Sequence, residues 1–320
     1  MDCSMTNDVT KTPDFLIVGA AKSGTSSLHS YLSKHPDIYM PEKRKELYFW
    51  HMATNTNRSI LDHAGEGNIP TRLNEYLEYF EDARGNQITG EACPSYLYFH
   101  NHVLQNLKEH HANWKDVKII IILREPVSRI VSQYRFVCKK QLDPEFLSFS
   151  DSLKVEADRV KQNELLPDLF YTEASKYAEQ VEFYLKNFNN VHVCLYDDLK
   201  ENPRELLEDL CDFIEVDSKK LPEFDFEVVN ASTGAKKLKH PLIVQKSRRA
   251  GRLLLRWLPK RFKVLLREKF EGALSEPVII PDDEVGRLRE IFQGEIKRLE
   301  TVLDRDLSSW MKKKSGHRIC

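Results

Sequence analysis

An unbroken apolar run, Phe15-Leu16-Ile17-Val18, stops at Gly19 and gives way to Ala20-Ala21-Lys22-Ser23-Gly24. Thr25-Ser26-Ser27 then opens a helical pattern that continues through Leu28, Tyr31 and Leu32. The order is strand, tight turn, helix. Repeated along a chain, such units build a mostly parallel sheet covered on both faces. The turn also has a chemical consequence. Backbone N–H groups at a helix start are unpaired and carry the positive end of the helix dipole, so the turn is a ready anion site. Gly24 lets the backbone approach the anion, Lys22 supplies a point charge, and the hydroxyls of Ser23, Thr25, Ser26 and Ser27 add donors.

The spacing of Gly19, Gly24 and Thr25 invites comparison with the loop that cradles nucleoside triphosphates, but here the lysine precedes the second glycine. A kinase of that class also needs an acid at the end of a neighbouring strand to hold magnesium. The obvious neighbour, Val117-Lys118-Ile119-Ile120-Ile121-Ile122-Leu123, ends in Arg124 instead. Pro126 then suits the first turn of a helix that carries Ser132 two turns further on. An arginine at the strand tip and a serine on that helix form a second phosphate site. Two such sites on one sheet point to a nucleotide with phosphates at both ends of its ribose.

On these residues the chain resembles the sulfotransferases that use 3′-phosphoadenosine 5′-phosphosulfate (PAPS). Lys22-Ser23-Gly24-Thr25-Ser26 looks like the family's 5′-phosphosulfate loop, and Arg124 with Ser132 looks like its 3′-phosphate element. Lys43-Arg44-Lys45-Glu46-Leu47-Tyr48-Phe49 is similar to a segment of the carbohydrate (heparan-type) branch. Gly90-Glu91-Ala92-Cys93-Pro94-Ser95-Tyr96 and Asp306-Leu307-Ser308-Ser309-Trp310 fit the same branch, so the resemblance runs from about Pro13 to Trp310.

It implies that Lys22 neutralises the leaving 5′-phosphate, that Thr25, Ser26 and the loop amides cradle it, and that Glu46 is the general base, with Glu91 as runner-up. Desolvation against Tyr48, Phe49 or Trp50 is what such a carboxylate needs to become a useful base. Arg124 and Ser132 take the 3′-phosphate, since a guanidinium fork matches phosphate oxygens. Arg129, one turn into the helix, reads as a surface or ion-pair residue. Asn230 to Lys237 loosely resembles the family's nucleotide-closing loop, which assigns Lys236 or Lys237 to the nucleotide. Ala92 stands where the branch carries a lysine, so a cationic contact to the sulfate falls to another residue such as Lys45. His29, His35 and His51 read as structural. The implied cofactor is PAPS, with adenosine 3′,5′-bisphosphate (PAP) as product and no metal.

Composition agrees with one large core. The 320 residues are 41% hydrophobic. The net charge of −1 conceals an asymmetry: between Lys236 and Phe270 there are 13 basic residues against Glu268 alone, leaving 35 basic and 48 acidic residues elsewhere. Leucines and Trp257 interleave with those cations, a pattern shared with membrane-surface helices and nucleic-acid binders. Such a non-enzymatic role, and a nucleotide kinase, are the rival readings. The favoured one expects no nucleic-acid partner and no stable membrane insertion, and it specifies no oligomeric state. Cys3, Cys93, Cys138, Cys194, Cys211 and Cys320 form no close pair, which suits a reducing compartment. Met1 to Thr12 has no apolar signal core, and no run reaches the roughly 20 apolar residues of a membrane span.

The expected architecture is an α/β fold with a P-loop-like, mostly parallel sheet, helices on both faces and a C-terminal helical extension. Residues 1–12 read as a disordered tail and 13–310 as a single domain. Within it, 13–222 form the α/β core and 223–310 a nucleotide-closing loop and helices, before a basic tail at 311–320. Strands are expected at 15–20 and 117–123, a helix at 174–188 with Tyr177, Val181, Tyr184, Leu185 and Phe188 on one face, and a long amphipathic helix at 281–304. Acceptor choice falls to motif-free loops at about 50–72 and 139–172. A cytoplasmic enzyme sulfating a hydroxyl, less readily an amine, of a carbohydrate or small natural product is the expectation.

Overall fold

The computed structural model describes residues 12–52, 69–140, 142, 147–162, 167–224, 226, 236–238 and 275–312. Residues 1–11, 53–68, 227–235, 239–270 and those from 313 lie outside the described residues, and with them fall the expected disordered tail, most of the acceptor-choosing segment at 50–72, Asn230 to Ala235 of the nucleotide-closing loop and the basic tail.

Strand β1 (Phe15–Gly19) turns into helix α1 (Thr25–Leu32), followed by β2 (Ile38–Tyr39). Short helices α2 (Phe49–Met52) and α3 (Leu73–Leu77) precede β3 (Ile88–Ala92) and α4 (His100–His110). Next come β4 (Lys118–Leu123), α5 (Pro126–Lys140), α6 (Phe149–Lys161) and α7 (Tyr177–Asn187). Strand β5 (Val191–Leu195) leads into α8 (Tyr196–Glu201) and α9 (Pro203–Ile214). A small antiparallel pair, β6 (Lys236–Leu238) and β7 (Ser275–Pro277), is followed by α10 (Asp282–Leu303) and α11 (Ser308–Met311).

Strands β1 to β5 form one sheet in the order β2-β3-β1-β4-β5, with every neighbouring pair parallel. The earlier strands lie on one side of β1 and the later ones on the other. That reversal opens a crevice at the C-terminal ends of β1 and β4, where α/β sheets bind ligands.

Successive side chains of a strand point to opposite faces, and here both faces are dry. Leu16 and Val18 of β1 join Ile119, Ile121 and Leu123 of β4 in one core, packed against Leu107 of α4, Ile130 of α5, Val181 of α7 and Phe292 of α10. Phe15, Ile17, Ile120 and Ile122 point the other way, onto Leu28 and Leu32 of α1 and Leu207 and Leu210 of α9. Burying each such side chain stabilises the fold by about 2 kcal/mol. The isoleucine run of β4 is core throughout, and its chemistry begins only at Arg124.

Two helix starts fall later than their apolar spacing predicts. Residues 173–175 make a tight turn held by the Glu156 carboxylate, which accepts from Thr172 N–H at 3.0 Å and Glu173 N–H at 2.9 Å, so α7 begins at Tyr177. Its buried face runs through Tyr177, Ala178, Val181 and Tyr184, and Leu185 is 43% exposed rather than on that face. A helix is also expected over 95–110, but a turn at Pro94–Tyr96 delays α4 to His100. At the C-terminus, Trp310 is buried and its indole N–H donates to Asp197 at 3.1 Å, while Arg305 grips Asp198. These contacts dock the helical extension on α8. No helix among the described residues is long and apolar enough to cross a membrane.

Candidate active site

The turn after β1 is built as an anion cradle. Gly24 caps α1 in a left-handed conformation (φ 103°) and no side chain caps the helix, so its first N–H groups stay open to a ligand. Glycine is required here from behind as well. A Cβ at position 24 would lie 2.7 Å from Leu199 and 3.1 Å from Tyr196, so close packing on α8, not only approach of an anion, explains the residue. Lys22 is itself left-handed (φ 67°), and its ammonium stands 4.2 Å from the centre of the Phe136 ring on α5. Burial lowers the Lys22 pKa to about 8, and Arg124, Lys45 and Arg129 push it the same way against the opposing pull of Asp168. Ser23 is fully buried, and its hydroxyl faces Tyr177 without hydrogen-bond geometry. Thr25 and Ser27 are buried on α1, and Ser26 is half-buried.

Adjacent pairing of β1 and β4 brings Arg124 to this loop. Its guanidinium donates to the Lys22 carbonyl at 3.2 Å and lies over the Tyr196 ring at 4.8 Å. Ser132 is buried on α5, two turns along. Arg129 corrects the expectation of a surface residue: it is 1% exposed, and its guanidinium donates to the carbonyls of Ala21 (3.2 Å) and Tyr171 (2.9 Å) and to the Ser175 hydroxyl (2.9 Å). It clamps the anion loop to the turn before α7. The first two turns of α5 are packed nearly all round, with Pro126, Val127, Ile130, Val131 and Ser132 buried beside it, so the charge at position 129 has no solvent face to use. Lys236 and Lys237 belong to β6, whose backbone runs beside α5, the helix of Ser132.

The Lys45-Glu46-Leu47-Tyr48 segment closes over the start of α1. Lys45 Nζ donates to Ser26 Oγ and to Glu46 Oε1, both at 2.9 Å, and the Tyr48 hydroxyl donates to Glu46 Oε2 at 2.7 Å. One ammonium therefore joins the anion-loop helix to the carboxylate. Tyr48 holds a left-handed backbone (φ 59°), a conformation a bulky residue adopts only when its surroundings impose it. Burial and the neighbouring Glu46 carboxylate raise the Tyr48 hydroxyl well above its ordinary range, so it remains a donor. Phe49 and Trp50 turn away into the core; the groups that hold Glu46 are Tyr48 and Lys45.

Glu91 serves a different purpose from Glu46. It is fully buried and accepts from Tyr76 at 2.7 Å, Tyr96 at 2.8 Å and the Leu47 N–H at 3.3 Å, and burial raises its pKa to about 7. Three donors occupy it, and it anchors the segment that presents Glu46. The histidines are structural too: His35 sits past the end of α1 with Nε2 on the Asp217 carbonyl (3.0 Å) and Nδ1 accepting from Asp37 N–H (3.1 Å). Burial lowers His29 to about 4 and His51 to about 3, which keeps both neutral.

One carboxylate in this region carries no sequence signal. Asp168, in the turn Pro167–Leu169, receives Gln133 Nε2 on both its carbonyl and Oδ1 at 2.9 Å. It lies within electrostatic reach of Glu46, Arg129 and Lys22, and burial raises its pKa to about 6. Only the meeting of the 167–175 segment with α5 puts it there.

A parallel five-stranded sheet with helices on both faces and a glycine-turned loop after β1 defines an α/β domain of P-loop-like architecture. The family model described as "Sulfotransferase domain" matches residues 12–247, and the chain belongs to that family. Among solved structures, a sulfotransferase from Alicyclobacillus acidocaldarius superposes with a TM-score of 0.65 at 28% identity, over 94% of this chain and 100% of that one. Among curated proteins, the chain is 29% identical over 53% of its length to a membrane-associated sulfotransferase of Dictyostelium discoideum, covering 33% of it. It is 24% identical over 67% of its length to a bifunctional heparan sulfate N-deacetylase/N-sulfotransferase of Drosophila melanogaster, covering 20% of that protein. The chain thus spans a third or less of the length of these two relatives.

Proposed function

We propose that the protein transfers a sulfuryl group from PAPS to a hydroxyl, less readily an amine, of a polar acceptor such as a carbohydrate or a small natural product. The observation that carries this reading is Lys45, whose ammonium bonds at 2.9 Å to both Ser26 of the anion loop and Glu46. A donor-binding loop and a base joined through one cation suit in-line displacement at a group lying between them.

The residues present fit the donor. Lys22, Arg124 and Lys45 crowd positive charge, burial lowers the pKa of Lys22, and the Ser23 hydroxyl lacks a partner, as expected of a cradle shaped for an anion. PAPS supplies a sulfuryl group on an anhydride whose leaving group is a phosphate. Lys22 and the first N–H groups of α1 hold that phosphate and offset its growing charge. Arg124 and Ser132 take the 3′-phosphate, and β6 beside α5 supports a share for Lys236 or Lys237. Glu46, oriented by Tyr48 and Lys45, accepts the acceptor's proton. Arg124 at the tip of β4, where a triphosphate kinase needs an acid, favours this over phosphoryl transfer. Among the described residues Cys93, Cys138, Cys194 and Cys211 form no disulfide with one another, which suits a reducing, cytoplasmic setting.

The test is PAP release from labelled PAPS across an acceptor panel in a metal chelator. Glu46→Gln should lose about 100-fold or more in turnover while still binding PAP, and Lys22→Ala should lose nearly all turnover. Transfer that demands magnesium-ATP, or full turnover in Glu46→Gln, would overturn the assignment.

A further inference from the structure

The acceptor side of the crevice has a charge pattern of its own. Gln133 is fully buried, and its amide fixes Asp168 twice, through the main-chain carbonyl and through Oδ1, both at 2.9 Å. Among the described residues Asp168 Oδ2 has no hydrogen-bond partner, and Asp168 keeps part of its surface open to solvent. Phe136, three residues beyond Gln133, shares its face of α5 and carries the Lys22 ammonium. The Asp168 carboxylate and the Lys22 ammonium therefore meet residues of one face of α5 and lie within electrostatic reach of each other, Lys22 in the loop on which the sulfuryl donor is expected. The nearby cations are committed elsewhere: Lys45 to Ser26 and Glu46, Arg129 to main-chain carbonyls.

Once a bound donor offsets Lys22, Glu46 stays paired with Lys45, and Asp168 is the carboxylate left with an unengaged oxygen. The two carboxylates have different attachments. Glu46 has both oxygens engaged by Lys45 and Tyr48, whereas Asp168 presents a fixed oxygen with nothing on it. A preorganised carboxylate facing a ligand space recognises a group that donates hydrogen bonds and carries positive charge.

We infer that Asp168, held by Gln133, is an acceptor-positioning residue that selects acceptors bearing a protonated amine near the reacting hydroxyl and rejects acceptors with an anionic group there. This rests on the sulfuryl-transfer reading above. It sets the pocket apart from one shaped for a polyanionic glycan, because a like charge placed against a fixed carboxylate is repelled while an ammonium gains a charge-assisted bond.

Three matched probes test it: methyl glucoside, methyl glucuronide, and the methyl aminoglucoside carrying an ammonium where the glucuronide carries its carboxylate. With the full chain, binding to PAP-loaded protein and kcat/KM should both rank aminoglucoside over glucoside over glucuronide. The outer pair should differ by about fivefold or more, an attraction gained on one side and a repulsion on the other. Asp168→Asn keeps the size of the side chain and should raise the aminoglucoside KM about threefold to fivefold, with kcat moving less. Asp168→Lys should invert the order, which a merely structural residue would not do. Equal binding of the three probes, a preference for the glucuronide, or an unchanged order in both variants overturns the role of Asp168, whether or not turnover is seen. Absence of a PAP-induced thermal shift in the wild type, together with no PAP release in any condition, would strike instead at the transfer reading beneath it.

Discussion

Lys22 shows how one residue's environment becomes a binding property. Burial and the nearby cations hold its pKa at about 8 instead of the ordinary 10.5, so the ammonium is present at neutral pH and lost above that value. A nucleotide phosphate binds the ammonium form and raises its pKa in the complex, so affinity is full below about pH 8 and declines above it. PAP affinity should therefore weaken by up to tenfold per pH unit above 8 in the wild type. Lys22→Arg, which keeps its charge, should show no such decline. Calorimetric titration between about pH 7 and 9.5 reads this directly, and a flat wild-type profile would refute it. The residue's place in a strand-to-helix turn was legible from its neighbours in the chain, because strand, turn and helix follow one another without a gap. Its lowered pKa was not, since Arg124, Lys45, Arg129 and Asp168 reach it from separate segments.

At the scale of elements, Glu91 of β3 anchors the segment that carries Glu46, the proposed base. Glu91 pins the start of the Leu47–Trp50 segment, with the α3 residue Tyr76 and with Tyr96 as its other donors. Its folded pKa of about 7 lies above the ordinary value of 4.5. The folded state then holds more protons than the unfolded one between those values. Its contribution to stability is fully present below about pH 4.5, falls as pH rises toward 7, and is flat beyond. Glu91→Gln should show a smaller decline in urea midpoint from pH 4.5 to 7 than the wild type, and equal slopes would argue against a raised pKa. Arg129 illustrates the same reach across elements. Read along the chain it is a charge on a helix, whereas in the fold its guanidinium takes carbonyls from two other segments and stiffens the loop that carries Lys22.

For the whole molecule, the consequence of the sheet order is that the two proposed phosphate sites, the Lys22 loop and the Arg124 strand tip, belong to neighbouring strands, β1 and β4. A ligand spanning both should stabilise the folded state. At a hundred times its Kd, PAP should add about 2.7 kcal/mol, visible as a rise of several degrees in Tm. Arg124→Ala should remove most of that rise while shifting the ligand-free Tm far less, because Arg124 lies at the crevice and outside the core. A full PAP-induced rise in the variant would separate the two sites. The sequence by itself determined the features that depend on local order: the apolar period of β1 and β4, the glycine turn into α1, the proline that starts α5, and the charged residues that follow the strand ends. Only the tertiary structure decided which charges meet. Lys45 bridging Ser26 to Glu46, Glu91 saturated by three donors, Arg129 buried as a clamp and Asp168 standing beside Lys22 all join segments far apart in the chain. Such contacts are set by packing both faces of the sheet, and no spacing along one strand or helix encodes them.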